Sequence, residues 1–338
     1  MIDLIYHEEG VLDHPRAREV LDRYPRATLV PCSHYKEIFN PNGQNFALQK
    51  HKPSIILARK TGSLVHPVPP TYGIGGERNF YFSHLLNCLY DCRYCFLQGM
   101  FPSAHYVLFV NYEDFQDEIL RLTQEPQEGE SWFFSGYDCD SLAMEKSTGF
   151  VRSFLPFLSE TPRARLELRT KSADTGILES TDALPNVVTA FSFTPEEIGN
   201  QLEKGVPSVD SRLRAIGRIA ERGWPVGVRI DPLLDCIDFE KRYRDLFDKL
   251  FTSLPDESLH SVSLGVFRVP SSYFGRMEKL HPREPLFAGR LAKRGDSVAY
   301  RREIELERTA FCREELLKRI PASKLFQCET TLDAQPSP

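Results

Sequence analysis

The sequence predicts an α/β protein built on an open, partial (β/α)6 barrel of the TIM type, with an N-terminal extension and a C-terminal loop and helix region. Three observations carry this reading. Six short apolar runs recur between residues 78 and 268, each followed by a stretch long enough for a helix. The intervening stretches repeat their apolar residues at helical spacing. Strict alternation of strand and helix implies parallel pairing through right-handed crossovers, and six units fall short of the eight that close a full barrel.

Residues 1–77 show mixed periodicity, one strand candidate (PSIILAR, 53–59) and the Pro/Gly-rich connection HPVPPTYGIGG. They read as an extension with a linker. The six barrel strands are NFYFS, SWFFSG, ARLELRT, NVVTAFSF, WPVGVRID and LHSVSLGVF. Over 208–222 the helical pattern is plain: Val209, Leu213, Ile216 and Ile219 form one stripe, Ser208 is placed to cap it, and Gly223 and Pro225 end it. Phe239, Tyr243, Leu246 and Leu250 repeat the pattern one unit later. Residues 269–328 hold a loop-rich part and a helix over RREIELERTAFCREELLKRI, and 329–338 read as a flexible polar tail.

A chain of 338 residues, 41% hydrophobic and 26% charged, can bury a large core. Its first residues lack the basic-then-apolar pattern of a secretion signal, and no run of about 18 apolar residues occurs. Of eight cysteines, Cys32, Cys139, Cys236, Cys312 and Cys328 are scattered singly, which fits a reducing cytoplasm. A monomer without membrane contact is expected. The formal net charge of -5 does not point to a general nucleic-acid binder, so any such site must be a local patch.

The other three cysteines, Cys88, Cys92 and Cys95, stand within NCLYDCRYCF, directly after the first barrel strand and at the end where this architecture places chemistry. Three thiolates can hold three irons of a [4Fe-4S] cluster and leave the fourth iron open to a substrate or cofactor. The alternatives are a zinc site completed by a distant residue such as His84, or chance clustering. A zinc ribbon wants a second C-x2-C pair, which is absent from the sequence.

The C-x3-C-x2-C spacing on a βα loop resembles the radical S-adenosylmethionine (AdoMet) superfamily. There the open iron chelates the methionine end of AdoMet, whose reductive cleavage gives a 5'-deoxyadenosyl radical. GGE at 75–77 looks like that superfamily's Gly-Gly-Glu element, but it precedes the cysteines, so turn chemistry explains it better. Its positional counterpart is SGYDCDS, 135–141, after SWFF.

The wider context is similar to the spore photoproduct lyase family. The resemblance rests on CRYCFLQGMF with YVLFVN, RTKS around Lys171, FSF around Ser192, VDSRLRAIGRIAERGWPVGVRIDPL, and SLGVFRV ending at Arg268. It covers about 50–320 and implies a divergent member: a carbon–carbon lyase repairing a modified pyrimidine in DNA, fed by an external electron donor such as flavodoxin or ferredoxin. The alternative is the same scaffold acting on a small nucleoside, a carbohydrate or RNA.

The resemblance implies cofactor contacts at Tyr94, Phe96, Ser135, Asp140, Ser141, Lys171 and Ser192. It also implies a thiol after the second strand that returns hydrogen to the product radical. One alignment puts Tyr137 at that position and a shifted register puts Cys139 there, so both are candidates. Phe96 replaces a family tyrosine. From 268 to 302 nine basic residues face three acidic ones, interleaved with aromatics. Arg268, Tyr273, Arg290, Lys293, Arg294 and Tyr300 are the candidates there for DNA contact, with AKRGDSVAY as a hairpin tip.

Overall fold

The structure is a computed structural model and describes residues 2–69, 73–76, 78–125, 129–255 and 257–328. All six expected barrel strands form and stand side by side: β5 (Arg78–Phe82), β9 (Ser131–Ser135), β10 (Ala164–Thr170), β11 (Val187–Ser192), β13 (Val226–Leu233) and β14 (Leu259–Val266). Each pairs in parallel with the next. Two edge strands extend the sheet to eight: β4 (Val65–Pro67), antiparallel to β5, and β18 (Leu325–Cys328), parallel to β14. The sheet stays open, and its strand C-termini form the end at which such parallel folds carry their chemistry.

The helices form where their periodicity places them. In Val209–Glu221 the Ser208 hydroxyl accepts from the Ser211 N–H, and Gly223 turns the chain at φ 84°. Phe239–Thr252 buries Phe239, Tyr243, Leu246, Phe247 and Leu250. Inside the barrel sheet lies a fully buried ion pair, Arg229 on β13 with Glu167 on β10 at 2.8 Å. Arg229 also donates to the Ser261 carbonyl and hydroxyl, so its charge is fully partnered.

The first 58 residues are more than an extension. They supply β1 (Leu4–Glu8), β2 (Thr28–Cys32) and β3 (Ile55–Ala58) of a five-stranded sheet ordered β2-β1-β3-β8-β6. Its other members, β6 (Leu85–Leu86) and β8 (Tyr106–Phe109), come from between the first two barrel strands. A boundary at 77 therefore cuts one sheet in two. The cause is β8: its fully buried YVLF pairs with the fully buried IILA of β3.

The expected hairpin is present as β16 (Leu291–Arg294) and β17 (Ser297–Tyr300), and β15 (Arg268–Pro270) completes a three-stranded sheet. A two-residue strand pair, β7 (Asp91–Cys92) with β12 (Glu203–Lys204), carries the cysteine loop. Helix Arg302–Leu317 leads back to β18. The segment 329–338 lies outside the described residues, as does Glu77. Gly75 and Gly76 both adopt positive φ, the turn expected of them. Among the described residues no helix is long and apolar enough to cross a membrane.

Candidate active site at the cysteine loop

The cysteine loop begins at Asn87, which takes a left-handed φ of 72° that an Asn tolerates better than most residues. Its side-chain amide donates to the Ser103 and His105 carbonyls at 2.8 and 2.7 Å, pinning the loop to the strand that follows. Lys50, from the N-terminal unit, reaches across to donate to the Cys88 and Tyr90 carbonyls at 2.6 and 3.0 Å. Gln98 holds the Cys92 carbonyl at 2.6 Å, and Arg93 N–H meets the Leu202 carbonyl at 2.8 Å. Gly99 permits close packing behind the loop, since a Cβ there would collide with the Tyr273 backbone.

Cys92 is buried, Cys88 and Cys95 half-buried, and all three are free thiols. Burial pushes the Cys88 thiol up to about 12, with Asp140 adding to the shift and Lys50 opposing it. Burial raises Cys92 and Cys95 too, against the pull of Lys171. Bound iron reverses that balance, because a coordinating thiol loses its proton outright. No group of three or more His, Cys, Asp or Glu among the described residues gathers as ligands to a single ion. His84, the candidate fourth zinc ligand, is buried in the core with its ring stacked 3.7 Å from that of Phe150.

Lys171 follows β10 directly and stands with its ammonium 5.6 Å from the Tyr94 ring centroid. Burial disfavours its charge, yet Cys92 and Glu203 more than offset this and raise its pKa. Its ammonium makes no ion pair or hydrogen bond among the described residues, so a half-buried cation beside the thiols is left for an anionic group. The donor set therefore fits an iron–sulfur cluster held by the thiolates, with a carboxylate-bearing cofactor beside it.

SGYDCDS folds as a tight loop after β9. Gly136, at φ 86°, leaves no room for a Cβ, which would lie 2.7 Å from the Ser141 hydroxyl. Ser135 and Ser141 bond each other at 2.9 Å. Asp140 accepts from the Leu142 and Ala143 N–H groups, the Thr170 hydroxyl and, at 2.6 Å, the Lys171 N–H. Asp140 thus sets where Lys171 starts. Ser192 ends β11, and its carbonyl accepts from Arg212 at 2.6 Å.

The two hydrogen-return candidates part company here. Cys139 is 7% exposed, and burial raises its thiol well above the ordinary range. Tyr137 is 47% exposed, with its ring 5.4 Å from that of Phe96 and 4.6 Å from that of Tyr81. Tyr94 is buried, and its hydroxyl donates to Glu203.

The basic segment is less free than its charge count. Arg268 pairs with Asp231 at 3.5 Å, Arg290 with Asp235 at 2.5 Å, and Arg294 with Glu305. Tyr300, expected among the DNA contacts, is instead a core residue: it is 2% exposed and its hydroxyl accepts from the Asp235 N–H at 2.9 Å. Lys293 stands exposed on the hairpin, and Tyr273 is partly buried against the core on helix Ser271–Leu280.

Sequence reasoning missed Glu203, Arg212 and Lys50. Arg212 did carry a signal, since it lies three residues after Val209 on the buried face of its helix and demands a buried carboxylate. Lys50 carried none.

An open parallel barrel with three thiols after its first strand defines the radical AdoMet class. Within it the chain belongs to the spore photoproduct lyase family, whose profile matches residues 1–269. It is 23% identical to spore photoproduct lyase of Bacillus subtilis (strain 168) over 269 residues, covering 77% of this chain and 76% of that one. It is also 23% identical to that of Geobacillus sp. (strain Y412MC61) over 268 residues, with the same coverage. A solved spore photoproduct lyase variant with bound AdoMet and dinucleoside spore photoproduct superposes with a TM-score of 0.83 at 18% identity, covering 97% of this chain and 98% of that one.

Proposed function

We propose that this chain is a radical AdoMet enzyme of the spore photoproduct lyase type, holding a [4Fe-4S] cluster through Cys88, Cys92 and Cys95 and acting on a damaged pyrimidine pair in DNA. The observation that carries the proposal is the meeting, at the C-terminal ends of the barrel strands, of three thiols and the unpaired Lys171 ammonium. When bound, the cluster and AdoMet together supply a carbon radical that takes hydrogen from the substrate. Lys171 would face the carboxylate of the cofactor. Tyr137 would return hydrogen to the product radical, a role supported by its half-exposed ring against Phe96. The low-dielectric setting of the loop strengthens each of these contacts. A reduced carrier of the flavodoxin or ferredoxin type provides the electron.

Anaerobic reconstitution tests the reading. The protein should bind about four irons and four sulfides, cleave AdoMet when reduced, and revert a lesion-bearing oligonucleotide as read by mass spectrometry. Cys88→Ala, Cys92→Ala or Cys95→Ala should abolish iron loading and cleavage together. Stoichiometric zinc without AdoMet cleavage would overturn it.

A further inference from the structure

A buried carboxylate with no part in the steps above lies directly behind the cysteine loop. Glu203 opens β12, and its ladder to β7 sets Glu203 opposite Cys92. It is 6% exposed. Its side chain collects donors from three elements: the Tyr94 hydroxyl of the cysteine loop, the Thr194 hydroxyl just beyond β11 at 3.0 Å, and the Arg212 guanidinium of helix Val209–Glu221 at 3.1 Å. Arg212 in turn donates to the Ser192 carbonyl at 2.6 Å. One carboxylate thus ties the cysteine loop to the end of the fourth barrel strand.

Its ion pair with Arg212, both side chains almost wholly buried, makes Glu203 a fixed negative charge opposite Cys92. A negative charge in a low-dielectric interior disfavours adding an electron to a neighbouring cluster, and charge and hydrogen bonding around the sulfurs are what set such potentials. A cluster that is harder to reduce is, once reduced, the stronger electron donor.

Building on the cluster reading above, we propose that Glu203 is a positioning residue that seats the cysteine loop on the fourth strand and holds the cluster at low potential. The test is a spectroscopic redox titration of anaerobically reconstituted wild-type protein, Glu203→Gln and Tyr94→Phe, with iron content and melting temperature measured alongside. Glu203→Gln keeps the shape and still accepts from Tyr94 and Thr194 through its amide oxygen, but loses the charge. It is expected to keep its iron, to shift the midpoint potential upward and to slow AdoMet cleavage.

Tyr94→Phe keeps the charge and removes one hydrogen bond from it, so its shift is expected downward. Equal upward shifts in both variants would mean loosening of the loop rather than charge, and would overturn the proposal, as would no shift in either. If Glu203→Gln loses its iron, the sign of the Tyr94→Phe shift decides alone. Wild-type protein that takes up no cluster would defeat the proposed function instead, leaving a result distinct from either.

Discussion

Tyr137 and Phe96 meet with their ring centroids 5.4 Å apart, joining the loop after the second barrel strand to the residue directly after the last cysteine. Phe96 has no hydroxyl, whereas Tyr137 brings one to the same place and is about half exposed. Cys139, two residues on, faces the core. Tyr137→Phe should therefore leave AdoMet cleavage intact and divert the substrate radical into side products. Cys139→Ala should leave the product distribution alone and cost about 1 kcal/mol of stability for the lost packing. Product analysis by mass spectrometry separates the two, and diversion in Cys139→Ala alone would assign the role to the thiol.

Lys171→Ala should weaken AdoMet binding without releasing iron, because the ammonium makes no hydrogen bond or ion pair that holds the cysteine loop among the described residues, while in the proposed function it would face the cofactor's carboxylate. A charge-assisted contact of this kind contributes on the order of 1.5–3 kcal/mol, or roughly ten- to hundred-fold in affinity. Equilibrium binding of AdoMet to the reconstituted protein measures it. Unchanged affinity would reject Lys171 as a ligand.

The barrel was legible because buried parallel strands read as plain apolar runs, and all six candidates formed. The N-terminal sheet was hidden for the opposite reason. Four of the five residues of β2 are exposed or half-buried, and the partner that makes the sheet, β8, lies far along the chain. The thiols could be placed by spacing alone, but Glu203 could not. Its role depends on Tyr94, Thr194 and Arg212 arriving from three separate elements. The basic segment was over-read because a local charge count cannot see Asp231, Asp235 and Glu305, which neutralise three of its arginines from outside. Tyr300 was misplaced because interleaving of charge and aromatics does not reveal which side a ring faces.

The buried pair Glu167–Arg229 should govern acid stability. Burial raises the Glu167 pKa, but Arg229 and then Arg169 outweigh it and bring the carboxyl to about 2. A carboxyl depressed below its unfolded value, roughly 4.3, adds stability above that value and loses it as the pH falls toward the folded one. Thermal melts should therefore show stability falling from about pH 4.3 downward. Arg229→Leu, which removes the fully buried partner and leaves the carboxylate only the partly exposed Arg169 at 3.0 Å, should cost about 3 kcal/mol at neutral pH. In that variant the melting temperature should rise on mild acidification, because protonation relieves the buried charge.

The hairpin supplies the last prediction. Lys293 is exposed near its tip, where Gly295 and Asp296 link β16 to β17, while Tyr300 at its base is buried against Phe267 with its hydroxyl on the Asp235 N–H. If the hairpin meets the phosphate backbone, Lys293→Ala should weaken binding to lesion and undamaged duplex alike and lower the salt slope by about 1, the loss of one phosphate contact. Tyr300→Phe should leave DNA affinity and salt slope unchanged and cost about 1 kcal/mol of stability, because it removes a single buried hydrogen bond. Fluorescence anisotropy across a salt series reads both variants. A Tyr300→Phe protein that bound DNA more weakly at unchanged stability would return that ring to the interface, and an unaltered slope in Lys293→Ala would remove the hairpin from it.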